Sequence, residues 1–125
     1  LFVLDSIRKA SVGTHSLDSV DYPDYAHQVA QKLTAEEAAM GVLICGSGVG
    51  VSIAANRHQG IRAALCWNED IARLARQHNN ANVIALPARF VSPDMAISMV
   101  ETFMNTDFEG NRHQKRVEKI ENFMC

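Results

Sequence analysis

Three short runs in this chain are apolar without alternation: residues 42–45, 61–66 and 82–86. Continuous runs of that length fit strands covered on both faces, as in a parallel sheet. A fourth run, Phe2, Val3 and Leu4, fits a strand or the start of a helix equally well. The stretches around these runs follow helical spacing instead. Across residues 22–33, Ala26, Val29, Ala30 and Leu33 make an i, i+3, i+4, i+7 stripe; Asp21 is placed to cap it and Pro23 suits its first turn. Residues 51–56 read as a further helical segment. Asn68 caps a helix expected to turn Ile71, Leu74 and Ala75 inward. Ser92, Pro93 and Asp94 start another, with Met95, Met99, Val100 and Phe103 on one face. A last helix is expected over residues 112–124, with Val117, Ile120 and Met124 at helical spacing, and Gly41, Gly60 and Gly110 punctuate the boundaries.

The order is helix, strand, helix, strand, helix, strand, helix, helix. It implies right-handed crossovers and an α/β fold, a three-layer Rossmann-like sandwich with a parallel sheet. No repeat or linker interrupts residues 1–125, which read as one domain. Ligands of such sheets gather at the carboxyl ends of the strands. Composition agrees with a globular protein, at 47% hydrophobic and 21% charged residues. A net charge of −2 and a pI near 6.2 give no reason to expect a nucleic-acid or membrane surface. No apolar run reaches the ~18 residues that a span requires. Asp5, Arg8 and Lys9 interrupt the short apolar start, so no signal-peptide pattern is read there. Cys45, Cys66 and Cys125 are odd in number and form no CxxC, which points to a reducing cytoplasm rather than a disulfide scaffold.

The apolar run 42–45 ends in Cys45 and continues as Gly46, Ser47, Gly48, Val49 and Gly50. Three glycines at alternate positions between a strand and a helix gather backbone N–H groups around an anion. A Walker loop would end in Gly-Lys-Ser/Thr, which is absent. A dinucleotide loop would carry a third glycine where Val51 stands; Glu69, near where a ribose-binding acid would fall, reads better as first-turn helix chemistry after Asn68. A nucleotide cofactor is therefore not expected. The bland alternative is a tight strand-to-helix turn with no ligand. Cys45, at the strand end beside N–H donors and a helix start, sits where a thiolate is favoured, whereas Cys66 has no such loop and reads as core.

Other polar groups allow two readings each. His78 and Asn79 lie in a helix-to-strand connection, as catalytic groups or as a solvated C-terminal turn. Arg112 and Arg116 share one helix face, as a phosphate grip or as surface partners of Glu109 and Glu118. His15, His27, His58 and His113 show no metal-binding spacing, so no metal is expected.

Taken together, Gly13 and Thr14, Asp21 to Pro23, Cys45 to Gly50, Ile53 to Asn56, His78 and Asn79, and Gly110 to Arg116 resemble the type B ribose-5-phosphate isomerases, a family that includes galactose-6-phosphate isomerase subunits. The likeness spans residues 12–123 with the elements in order. It implies interconversion of an aldose and a ketose phosphate, ribose 5-phosphate and ribulose 5-phosphate, through an enediolate without metal or nucleotide. Cys45 would be the base; members that use a glutamate carry it where Val51 stands here. Gly46 to Gly50 would form the anion hole, Ser47 would bind near the ring oxygen, and His78 would help open the ring. Asn79 would bind the reacting hydroxyls, and Arg112 and Arg116 the phosphate. The resemblance also implies homodimers or dimers of dimers whose sites are completed by the partner subunit. The family's opening Asp-His segment has no counterpart in residues 1–11, so the first strand reads as missing or replaced. Two alternatives follow from the same likeness: an inactive phosphosugar-binding subunit, or an isomerase of a hexose 6-phosphate.

Overall fold

A computed structural model of the chain describes Gly13 and residues 21–123. The expected strand at Phe2 to Leu4, the missing or replaced first strand, His15, Met124 and Cys125 lie outside these residues. The described elements are α1 (Tyr22–Thr34), β1 (Gly41–Cys45), α2 (Val49–Asn56), β2 (Ala63–Leu65), α3 (Glu69–Asn79), β3 (Val83–Pro87), α4 (Pro93–Met104) and α5 (Arg112–Glu121). All three strands are parallel, in the order β1-β3-β2. Val83 lies opposite both Gly41 and Ala63, and Ala85 lies opposite both Leu43 and Leu65.

β3 is buried at every position. Its alternate side chains feed two separate cores. Val83 and Ala85 join Leu43 and Ile61 beneath Ala26 and Ala30 of α1 and Val51, Ala54 and Ala55 of α2. Ile84 and Leu86 join Cys66 beneath Ala72 and Ala75 of α3 and Met99, Val100 and Phe103 of α4. The result is an α/β/α sandwich, as the uninterrupted apolar runs require.

Helix starts separate into those with and without a side-chain cap. Asn68 Oδ1 accepts from Ile71 N at 2.9 Å, and Ser92 Oγ accepts from Met95 N at 3.1 Å. Asp21 occupies the cap position of α1 but its carboxylate makes no capping bond, contrary to expectation; its carbonyl accepts from Asp24 N instead, and Pro23 sets the first turn. The inward face of α3 also differs. Leu74 is 40% exposed, and the buried positions are Ala72, Ala75 and Arg76. Arg76 takes the inner place instead of the leucine because three of its N–H groups find partners there: Nε donates to Thr106 O at 3.0 Å, and Nη1 donates to Asn80 Oδ1 at 2.8 Å and Ala81 O at 2.6 Å. In α5 the buried pair is His113 and Val117, an i, i+4 contact, and Ile120 is 51% exposed. β2 is shorter than its apolar run, since the Arg62 N–H goes to the Asn82 side chain at 2.8 Å rather than to a strand.

These caps give a stability test. Asn68→Ala is expected to cost about 1 kcal/mol through loss of the cap. Asp21→Ala should cost less, because no capping bond is lost. Urea melts of both variants check the order, and equal losses would contradict it.

Candidate active site

Gly48 sets the turn by which the chain passes from Cys45 into α2. Gly48 caps α2 with φ +76, and a Cβ there would lie 2.6 Å from Leu65 Cδ1. Glycine meets both demands without strain. Ser47 is exposed; its Oγ accepts from Val49 N at 3.3 Å and retains its own hydroxyl proton for another partner. Gly50 is a site of close approach, where a Cβ would fall 2.5 Å from the Tyr22 ring and hydroxyl. The turn after β3 borders the loop on its other side. Ala88 N donates to Cys45 O at 2.9 Å and Arg89 N to Gly46 O at 3.0 Å, and a Cβ on Gly46 would meet Arg89 Nε at 3.0 Å.

Cys45 is half-buried at the end of β1, where the N-terminus of α2 begins. It packs beside the α1/α2 core. Cys66 differs in kind: it is fully buried, and burial pushes its thiol up to about 12. Val51 is 4% exposed and belongs to the core. The glycine loop thus carries a thiol, a hydroxyl, a phenol and a guanidinium around the first turn of a helix. Arg89 is not among the residues singled out in the sequence, and Tyr22 is named there only within the Asp21 to Pro23 segment, without a place at this loop. Arg89 had a usable signal, since it follows the carboxyl end of β3 where ligands of parallel sheets bind.

A second polar cluster forms elsewhere. His78 and Asn79 belong to the last turn of α3, not to a connecting loop; Asn80, with φ +47, ends the helix. The His78 ring stacks on His113, with centroids 4.2 Å apart and planes 15° apart. Glu109 Oε1 lies 3.8 Å from His78 Nε2 and 3.6 Å from His113 Nε2, close enough for attraction but beyond hydrogen bonding. Burial lowers the pKa of His113, with His78 and Arg112 adding to the effect. Glu109 N donates to Gln77 O at 3.1 Å, which fastens this segment to α3. Arg112 lines an open depression with Glu109, Asn111 and His113. Arg112 and Arg116 are exposed, and among the described residues neither pairs with Glu109 or Glu118; Glu118 accepts from Gln114 at 3.0 Å instead. The surface-pair reading of these arginines is therefore not realised.

Spacing in the sequence gives no metal motif, yet the fold brings His78, Glu109 and His113 to within 4.8 Å of one another. Near-parallel rings direct their in-plane lone pairs side by side rather than toward a shared point, so this arrangement does not suit one ion without turning a ring. His27 and His58 form another pair, Nδ1 to Nε2 at 2.6 Å.

The two clusters face opposite edges of the sheet. Cys45 pairs with Pro87 at the carboxyl edge. Asn80 and Ala81 lead from α3 into the amino edge of β3, where Asn82 O accepts from Gly41 N. The strand between them alone spans roughly 13 Å. Within one chain, Cys45 and His78 do not meet.

A family model described as Ribose/Galactose Isomerase matches residues 3–120. The chain belongs to the ribose/galactose isomerase family. It is 51% identical over 110 residues to a probable ribose-5-phosphate isomerase B of Mycoplasma pneumoniae, covering 87% of this chain and 72% of that protein. It is 48% identical over 108 residues to ribose-5-phosphate isomerase B of Escherichia coli, covering 86% and 72%. Its fold superposes on the crystal structure of a ribose 5-phosphate isomerase from Thermotoga maritima with a TM-score of 0.86 at 55% identity, covering 87% of this chain and 75% of that one. The ribose/galactose isomerase fold thus accounts for the parallel sheet and for the loop at its carboxyl edge.

The contrast between the two described thiols is testable. A pKa near 12 leaves about one Cys66 in ten thousand as thiolate at pH 8. Iodoacetamide on the native protein is expected to modify Cys45 and spare Cys66, with both reacting in urea. Peptide mass mapping reads the outcome, and equal native labelling would contradict the assignment of Cys66 to the sealed core.

Proposed function

We propose that this chain is an aldose-ketose isomerase that interconverts ribose 5-phosphate and ribulose 5-phosphate, with Cys45 as the base. The observation that supports the reading is that Cys45 ends β1 three residues before Gly48, the residue that caps the N-terminus of α2. The Cys45 thiolate removes the proton on C2 of the open-chain aldose. The electron pair of that bond forms the C1–C2 double bond, and the carbonyl oxygen on C1 takes the negative charge. N–H groups of Gly46 to Gly50 stabilise this enediolate, since donors fixed in advance need no reorganisation when charge develops. The C2 hydroxyl gives its proton to the oxygen on C1; the electron pair left on the C2 oxygen forms the ketone carbonyl while the C1–C2 double bond takes the proton back from Cys45 at C1, which regenerates the thiolate.

His78 supplies a proton to the ring oxygen when the furanose opens, and Asn79 binds the reacting hydroxyls. Ser47 donates near the ring oxygen. Arg112 and Arg116 hold the phosphate, where two guanidiniums suit a dianion, and that remote binding energy positions C1 and C2. No cofactor takes part in this sequence.

The opposite placement of the two clusters supports a composite site. A second copy related by a two-fold axis brings one protomer's Cys45 loop to its partner's His78, Asn79, Arg112 and Arg116, and generates two identical sites. The protein acts as a homodimer or dimer of dimers on a small sugar phosphate in the cytoplasm. Among the described residues no helix is long and apolar enough to cross a membrane.

Cys45→Ala is expected to lower kcat for ribose 5-phosphate by at least about a hundredfold. Full retention of rate would remove Cys45 from the role. Sugar-phosphate binding without turnover in the unmodified protein would favour the inactive-subunit alternative. Subunit mixing tests the composite site: Cys45→Ala and His78→Ala homodimers should each be inactive. After random exchange about a quarter of the wild-type rate should return, because half the dimers then carry one intact site. No recovery would place both residues in one protomer's site.

A further inference from the structure

One polar network lies outside both clusters yet touches the backbone of the second. Arg62 Nε donates to Asn79 O and to Asn80 O, each at 3.1 Å, at the C-terminal end of α3. Its Nη1 pairs with Glu121 Oε1, and the other carboxylate oxygen of Glu121 accepts from Gly60 N at 3.0 Å. Asn82 closes the network, with Oδ1 accepting from Arg62 N at 2.8 Å and Nδ2 donating to Gly60 O at 2.8 Å. The side chains of Arg62 and Glu121 are only 17% and 22% exposed.

The placement of this pair is what matters. Asn79 is the hydroxyl-binding end of the proposed half-site, and its own carbonyl is held by Arg62. Glu121 stands in the last turn of α5, the helix whose first two turns carry Arg112 and Arg116. One guanidinium therefore ties the hydroxyl end of the site to the phosphate end without touching substrate. A planar fork bonded to two carbonyls and a carboxylate fixes direction as well as distance, which an ammonium cannot do.

We propose that the Arg62–Glu121 pair is a ruler: it sets the span from Asn79 to the guanidiniums of α5, and so the length of phosphosugar the site accepts. This proposal rests on the isomerase reading above. Arg62 and Glu121 are positioning residues under it, acting through Asn79 and α5. A displacement well below the length of one carbon–carbon bond matters here, because rate depends steeply on the placement of the reacting atoms.

The test compares ribose 5-phosphate with allose 6-phosphate, its one-carbon homologue, in the full chain. KM and kcat are measured for the pentose, and Ki is measured for the hexose as a competitor, so hexose turnover is not needed. Glu121→Gln keeps shape and removes charge; Arg62→Lys keeps charge and removes the fork. Glu121→Asp serves as a third variant should Glu121→Gln fail to fold. Under the proposal, KM for the pentose rises by about tenfold, kcat changes by less than about threefold, and the ratio of Ki to KM falls by about fivefold or more. A merely structural tie reduces the folded fraction, which scales kcat and leaves that ratio unmoved. Folded variants with an unchanged ratio overturn the ruler. A wild-type protein that does not turn over ribose 5-phosphate overturns the isomerase reading, and the ruler with it.

Discussion

β3 is the strand on which both hydrophobic cores close. Its five residues are buried on either side, so alternate side chains serve two layers that never touch each other. Such a strand needs helices over both faces, and the helical crossovers that supply them leave β1 and β2 parallel on its flanks. Each strand then delivers its carboxyl end to one edge and receives its preceding helix at the other. The glycine loop and the α3 terminus occupy opposite edges for that reason alone. Their separation is a property of the topology, not of any side chain.

Within that frame, small groups make large geometric differences. Gly48 turns the chain into α2 because glycine takes a left-handed φ without strain and leaves the space that Leu65 Cδ1 occupies. Gly50 lets Tyr22 reach the same loop. At the other edge, charge replaces close packing as the organising force. Arg76 and Arg62 gather carbonyls from the end of α3 and the segments beside it. Buried hydrogen-bond acceptors need donors, and two arginine forks supply several each.

Much of this was legible in the sequence, for identifiable physical reasons. Residues 42–45 and 82–86 read as strands because a two-sided core leaves no polar alternation. Asn68 and Ser92 announced helix starts because their side chains complete backbone bonds. Cys45 and the glycines stood out because few other uses explain that pattern. Less legible were features that depend on where side chains end. Leu74 looked internal by hydrophobicity, but Arg76 takes the inner place because its partners come from residues up to 30 positions away. His78 and Asn79 looked like loop residues because what ends α3 is the φ of Asn80, which composition does not reveal. Arg89 and Tyr22 reach the loop from elements distant in sequence. The stacking of His78 on His113 joins residues 35 positions apart and leaves no local trace.

α3 runs from Glu69, just after the Asn68 cap, to Asn79 as eleven residues, roughly 16 Å of uninterrupted rod. Such an element tolerates substitution on its outer face but not a change in length. Inserting or deleting one residue would swing everything beyond it by about 100° around the axis. His78 would leave its stack, Asn79 would lose the orientation that Arg62 gives it, and Arg76 would turn out of the core. Divergence in chain length among relatives should therefore fall in the loops on either side of α3, with the helix itself kept at a fixed count.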